Sequence, residues 1–187
     1  MNKKGRLFVI SAPSGTGKST IIGEIMKRRP DITFSVSATT RLPRPGDEEG
    51  KTYFFKTREQ FSEMVKNGEL LEYAEFAGNF YGTPKKPIMD KIEKGIDTIL
   101  DIEVKGYKQV KKMMPDCVSV FIVPPSMEEL EKRLRLRKTD SDETIARRLD
   151  TAKTEMLEKE HYDYIVENDI VENAVDKLLL IMASQDR

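Results

Sequence analysis

Ten residues constrain this chain more than any others: Ser11–Thr20, reading S-A-P-S-G-T-G-K-S-T. They follow an apolar run, Leu7-Phe8-Val9-Ile10, and lead into Ile21, Ile22, Ile25 and Met26 at helical spacing. Strand, glycine-rich turn, Lys, hydroxyl and helix, in that order, is the layout of a loop that cradles nucleotide phosphates. Gly15 and Gly17 let the backbone curl so that successive N–H groups face phosphate oxygens, and the following helix N-terminus adds partial positive charge. Lys18 then reaches the β- and γ-phosphates, while the Ser19 hydroxyl is a Mg²⁺ ligand. Ala12, Pro13, Ser14, Thr16 and Thr20 complete the stretch. Ala12 stands where the pattern G-x-x-x-x-G-K-[ST] has its first glycine. The competing reading, an ordinary glycine-rich turn with a stray Lys, leaves the flanking strand and helix as coincidence. The expectation is a nucleoside triphosphate site.

Composition narrows the class. At 187 residues the chain is expected to form one domain with a substantial core. Lys+Arg and Asp+Glu are equal at 32 each, so no net charge draws the chain to nucleic acid or to a membrane. The single cysteine, Cys117, rules out an internal disulfide, fits a reducing compartment, and lies among strand-forming residues as a packing side chain. The basic N-terminus precedes an apolar core of only four residues, against the ~7–15 of a signal peptide. The expected setting is the cytoplasm, with a monomer as the expected state.

Along the chain, helical and alternating patterns take turns. Strands are expected at Leu7–Ile10, Ile32–Ser37, Thr98–Ile102, Val118–Val123 and Tyr164–Val166, with helices between them. Thr57-x-x-Gln60 is a capping box, Ser126-x-x-Glu129 caps a helix carrying Leu130 and Leu134 on one face, and a long helix is expected from about Thr144 to Glu160. This alternation implies an α/β fold with a parallel sheet flanked by helices. Strands at Tyr53–Phe55, Glu69–Phe76 and Phe80–Thr83, the last two joined at Gly78-Asn79, break the alternation and read as an inserted lobe.

The loop Arg41-x-x-Arg44 carries two guanidiniums stiffened by Pro43, a pair suited to gripping phosphate, and Tyr53 and Tyr81 offer hydroxyl donors. An exposed charged loop beside core tyrosines accounts for the same residues. Ser37, Glu72 and Thr83 lie nearby, and a strand ends in Asp101-Ile102-Glu103. A carboxylate matches the N1–H and exocyclic amino donors that guanine presents side by side, and it opposes the unprotonated N1 of adenine. The alternative is that Glu72 is simply a solvent-facing strand residue. His161, the only histidine, reads as a surface or capping residue.

Five runs together resemble guanylate kinase: the phosphate loop; S-V-S-A-T-T-R-L-P-R-P-G with G-K-T-Y-F-F; E-Y-A-E-F-A-G-N-F-Y-G-T; D-I-E-V-K-G; and P-P-S-M-E-E-L-E-K-R-L-R-L-R. The resemblance extends from about Gly5 to Met182. It implies a phosphate-loop NTPase fold with a core (1–36, 84–125, 160–187), a small mixed-β GMP-binding lobe (37–83) and a helical lid (126–159). It implies phosphoryl transfer from ATP to GMP with Mg²⁺, dGMP being a second acceptor, and no nucleic-acid or membrane partner. Carried over residue by residue, Ser37, Glu72, Asp101 and Glu103 match the guanine side. Arg41, Arg44, Tyr53 and Tyr81 match the residues holding the GMP phosphate, with Gly82 and Thr83 lining that site. Asn168 matches a residue near the adenine. Lys18, Arg44, Arg137 and Arg148 are expected to meet transition-state charge, with Arg133 a further candidate, Arg133 and Arg137 on the ATP side and Arg148 also near GMP. The lid arginines have a competing reading as a solvated, salt-bridged helix face. Departures are Ala12, Lys105, Tyr107 and Lys138, the last three expected to alter surface detail. The rival functions are a kinase of another nucleoside monophosphate and a non-catalytic guanylate-kinase-like module that binds phosphorylated peptides. Such modules have typically lost the phosphate loop, whereas Lys18 and Ser19 are intact here.

Overall fold

The apolar run before the phosphate loop forms β1 (Leu7–Ser11), buried at all five positions, and the loop opens into α1 (Lys18–Arg28). These belong to a computed structural model that describes residues 4–137 and 140–185; Lys138 lies outside the described residues. The chain continues through β2 (Thr33–Phe34), β3 (Ala38–Thr39), β4 (Phe54–Phe55), α2 (Arg58–Lys66), β5 (Leu70–Phe76) and β6 (Asn79–Pro84). Then come α3 (Lys85–Glu93), β7 (Thr98–Asp101), α4 (Val104–Met113), β8 (Val118–Val123), α5 (Met127–Leu136), α6 (Asp142–Met156), β9 (Tyr164–Glu167) and α7 (Val171–Ser184). The larger sheet has the strand order β2-β7-β1-β8-β9, and the smaller has β4-β3-β6-β5. The chain falls into two units.

The first unit comprises the chain up to Leu7, Asp31–Leu100 and Lys105–Cys117. Here β2 pairs in parallel with β7, Thr33 opposite Thr98. The smaller sheet is mixed: β3 pairs in parallel with β4 and antiparallel with β6, and β5 pairs antiparallel with β6. Its core is Ala38, Phe61 and Leu70, with Phe54, Met64, Val65 and Phe80 packed against them. The expected capping box of α2 is present, with Thr57 accepting from Gln60 N–H and Gln60 accepting from Thr57 N–H. Two local expectations are corrected. The strand foreseen at Ile32–Ser37 is only Thr33–Phe34; the apolar alternation continues through 35–37 while the chain leaves this sheet for the other, which it joins at β3. The hairpin turn is Ala77-Gly78 rather than Gly78-Asn79, with φ of 49° and 75° and Phe76 facing Asn79. Tyr107, expected to touch only surface detail, is buried.

The second unit comprises Phe8–Pro30, Asp101–Val104 and the chain from Val118 on. In it β8 is the shared neighbour of β1 and β9, all parallel, with Phe8 opposite Val118 and Val120 opposite Tyr164. The apolar faces of α1 (Ile21, Ile22, Ile25) and α7 (Ala174, Val175, Leu178, Met182) are buried. Helices α5 and α6 share a core of Leu130, Leu134, Ile145 and Ala152, and Ser126 and Ser141 cap them. The cap at Ser141 starts α6 two residues before the expected Thr144; the helix ends at Met156, and a 3-10 turn over Lys159–His161 replaces its expected last turn.

Candidate active site

The phosphate loop is held open by two glycines. Gly15 and Gly17 have φ of 93° and 95°, in the left-handed region that favours glycine. A β-carbon would lie 2.7 Å from Leu134 Cδ2 at the first and 2.7 Å from Asn168 Nδ2 at the second, so a side chain there would also displace Leu134 or Asn168. Ala12 needs no such freedom: Ala77 is the one non-glycine residue with positive φ among the described residues. Ala12 is buried on ordinary backbone, so alanine at the first glycine position carries no backbone strain.

Thr16 closes the turn, its N–H (3.2 Å) and Oγ1 (2.7 Å) both donating to the Pro13 carbonyl. Its own carbonyl accepts from Asn168 Nδ2 at 2.6 Å. Asn168 follows β9 and is 2% exposed; its Oδ1 has no hydrogen-bond partner among the described residues. The loop, with Asp101, Glu103, Arg137 and Glu155, lines a cavity of about 330 Å³. Lys18 forms an ion pair with Asp101 and donates to the Ile102 carbonyl at 3.4 Å. Asp101 and Glu103, which the resemblance assigns to guanine, are thus found with the phosphate loop.

The lid arginines differ in what they touch. Arg133 donates to the carbonyls of Asn168 (3.0 Å) and Asp169 (3.3 Å) and to Glu129 Oε1 (3.3 Å). Arg148 pairs with Asp140 at 2.9 Å. Arg137, the C-cap of α5, is exposed, and its guanidinium has no hydrogen-bond or ion-pair partner among the described residues.

In the first unit, Arg41 is the hub of a cation and aromatic cluster. Its guanidinium lies 5.2 Å from the Tyr53 ring centroid and 5.8 Å from that of Phe55, and the rings of Tyr53 and Tyr81 meet edge-on at 6.1 Å. Asp47 accepts from Arg41 at 2.9 Å and from the Arg44 backbone N–H at 2.8 Å. The Arg44 N–H, reinforced by the Arg41 guanidinium, holds the Asp47 carboxyl below the usual carboxylate range. The Arg44 side chain is exposed, and no partner holds its guanidinium among the described residues.

Glu72 is not a solvent-facing strand residue: it is 8% exposed. Its Oε1 accepts from the fully buried Thr83 hydroxyl at 2.6 Å, and Gly106 of α4 lies against Oε2. Gly82 is buried behind it, where a β-carbon would lie 2.9 Å from the Glu72 carbonyl. Ser37 is half-buried at the chain's passage between the two sheets. Sequence reasoning overlooked Asp47, Phe55, Gly106, Asp140 and Glu155. Only Asp47 carried a local signal, its place at the end of the turn R-P-G-D.

A parallel β-strand running through a glycine-rich loop and its Lys into a helix makes this a phosphate-loop nucleotide-binding protein. The family model for guanylate kinase matches residues 4–185. The guanylate kinase of Desulfitobacterium hafniense (strain Y51) is 48% identical over 181 residues, 97% of this chain and 90% of that protein. That of Synechococcus sp. (strain JA-3-3Ab) is 47% identical over 175 residues, 94% of this chain and 81% of that one. The crystal structure of guanylate kinase from Anaplasma phagocytophilum aligns with a TM-score of 0.75 at 38% identity, covering 98% of this chain and 87% of that chain. The chain belongs to the guanylate kinase family. No helix of the described residues is long and apolar enough to cross a membrane.

Proposed function

We propose that the protein transfers the γ-phosphoryl group of ATP to GMP, giving ADP and GDP, with Mg²⁺ accompanying ATP. The observation that carries this reading is a phosphate loop with its Lys and Ser in a chain that also buries the carboxylate of Glu72 against a hydroxyl donor. A phosphate oxygen of GMP forms a bond to the γ-phosphorus as the bond to the β–γ bridging oxygen breaks, and ADP leaves with that electron pair. The nucleophile is already an anion, so the protein supplies position and charge rather than a strong base.

Lys18 exchanges its carboxylate partner Asp101 for the β- and γ-phosphates, while the loop N–H groups hold the rest of the chain of phosphates. Ser19, exposed in the first turn of α1, supplies a hard oxygen ligand of the kind Mg²⁺ accepts beside phosphate oxygens, and Asp101 lines the same cavity. Bound there, the ion neutralises phosphate charge. Arg41, Arg44, Tyr53 and Tyr81 take the GMP phosphate, and Glu72 with Ser37 and Thr83 takes the guanine edge. Arg137 and Arg148 face the transferred group. On this reading 37–83 is the acceptor lobe and 126–159 the lid, the enzyme works in the cytoplasm, and dGMP is a second acceptor.

The test is ADP release measured in parallel with GMP, AMP, UMP, CMP and dTMP as acceptors. Rapid turnover is expected with GMP alone, and Lys18→Met is expected to abolish it while the thermal melt is retained. Comparable turnover with AMP or a pyrimidine nucleotide, or activity surviving in K18M, overturns the assignment.

A further inference from the structure

Strand β5 lies at the edge of its sheet, and its pairing with β6 slips by one residue between Leu70 opposite Pro84 and Tyr73 opposite Gly82. The extra residue falls at Leu71-Glu72. Neighbours in a regular strand face opposite sides, yet both of these are buried, at 1% and 8% exposure. A bulge re-aims a side chain in this way, and it also loosens the ladder that would otherwise fix it. Something else must therefore set where the Glu72 carboxylate stops.

Thr83 fixes one oxygen. The other is met by α4. A β-carbon on Gly106 would lie 2.9 Å from Glu72 Oε2 and 3.3 Å from Cδ, so the carboxylate occupies space that only glycine leaves open. Within the same helix, Gln109 Oε1 accepts from the Tyr73 N–H at 3.2 Å and its Nε2 donates to the Tyr73 carbonyl at 3.1 Å. This amide completes the backbone pairing of the residue after Glu72 as a neighbouring strand would, on an edge where no strand lies among the described residues.

We propose that Gly106 and Gln109 are specificity-determining positioning residues: α4 fixes the Glu72 carboxylate against the acceptor base, Gly106 by leaving its space and Gln109 by holding the bulge. The inference rests on Glu72 reading guanine, as proposed above. It accounts for a glycine inside a helix, where glycine is unfavourable.

Gly106→Ala is the direct test. The atom the new methyl meets is the end of a flexible side chain, so the carboxylate swings while the backbone stays; alanine also favours the helix, and the melting temperature is expected to hold or rise. A misdirected pair of charge-assisted hydrogen bonds predicts an increase of about tenfold or more in the KM for GMP. The KM for ATP is expected to change less than about twofold, and kcat little. Inosine monophosphate has N1–H but no exocyclic amino group, so the preference for GMP over it is expected to shrink in parallel. Gln109→Met keeps length and volume but removes both hydrogen bonds; the same change in direction is expected, and this variant decides the matter if G106A does not fold. An unchanged GMP KM and an unchanged GMP-to-inosine-monophosphate ratio in the folded variants overturn the role of α4. So does an equal loss toward ATP and GMP with a lowered melting temperature, which is what a merely structural role gives. Wild-type protein that does not distinguish GMP from inosine monophosphate and AMP overturns instead the reading of Glu72 itself, and the role of α4 with it.

Discussion

Replacing Asn168 tests whether the phosphate loop is held from outside itself. The Asn168 amide donates at 2.6 Å to the carbonyl of Thr16 and lies where a β-carbon on Gly17 would be, so one side chain braces the middle of the loop. Asn168→Ala leaves that buried carbonyl unpaired, at a cost of about 1–3 kcal/mol, but also removes the orphaned Oδ1. A net loss of about 2 kcal/mol lowers the melting temperature of a chain this size by roughly 4–8 °C. The same loosening spreads the loop N–H groups, and losing about 1 kcal/mol of their fit to the triphosphate raises the KM for ATP roughly fivefold. The KM for GMP is expected to stay put. Asn168→Asp is the sharper variant. It has the same shape, cannot donate to Thr16, and buries a carboxylate against a carbonyl oxygen at a site 2% exposed, so it is expected to destabilise more than alanine does. Thermal melts and steady-state kinetics with each nucleotide varied in turn decide it. A melt and an ATP KM both unchanged in N168A would refute the reasoning, leaving the Thr16–Pro13 turn as the loop's sufficient support.

Two further outcomes concern the first unit. Asp47→Asn weakens the hold on Arg41 and on the Arg44 turn, and the KM for GMP is expected to rise several-fold with the ATP KM unaffected, as seen in the same kinetics. Because the folded carboxyl lies below its unfolded value, its contribution is complete above about pH 4 and is lost as pH falls through the lowered value. The acid limb of a stability-versus-pH curve should therefore be shallower in D47N than in wild type, and identical limbs would contradict this. Ala77→Asn places a residue that tolerates left-handed backbone at φ 49°, in the two-residue turn where Asn-Gly is favoured. Denaturant melts should show a gain of about 0.5–1 kcal/mol with catalysis untouched; a loss would mean the turn is not the strained point.

How legible each part was follows from where its information resides. The phosphate loop was readable because its backbone torsions demand glycine at 15 and 17, and the caps at Thr57 and Ser126 because a side-chain oxygen must meet an N–H three residues on. The break between β2 and β3 was not readable, since the alternation of Ile32, Phe34 and Val36 is the same whichever sheet a residue joins. The turn was placed one residue late because Gly78-Asn79 and Ala77-Gly78 differ only in pairing register, which local composition does not record. The location of Asp101 and Glu103 is tertiary too. The Ile102 N–H bonds to the Ile10 carbonyl at 3.3 Å, laying both carboxylates beside the end of β1 and so beside Lys18.

The arginines carry the same lesson into chemistry. The resemblance set Arg137 among the residues meeting transition-state charge and Arg133 on the ATP side, and nothing in composition separates the two arginines. The fold does. Arg133 spends its donors on the carbonyls of Asn168 and Asp169, the segment that braces Thr16, so its first effect is on the shape of the ATP loop. Arg41 is enclosed by Asp47, Tyr53 and Phe55, and Arg148 is matched to Asp140. A guanidinium already held by a carboxylate is fixed in place by that bond before any phosphate arrives, so it serves ground-state binding first. Arg44 and Arg137 have no such bond among the described residues. A cation that meets its partner only as charge develops lowers the barrier rather than the ground state. Arg137 is therefore the arginine whose loss should fall on kcat; the loss of Arg44, which also takes the GMP phosphate, should fall on both kcat and the KM for GMP, and the loss of Arg133 first on the KM for ATP.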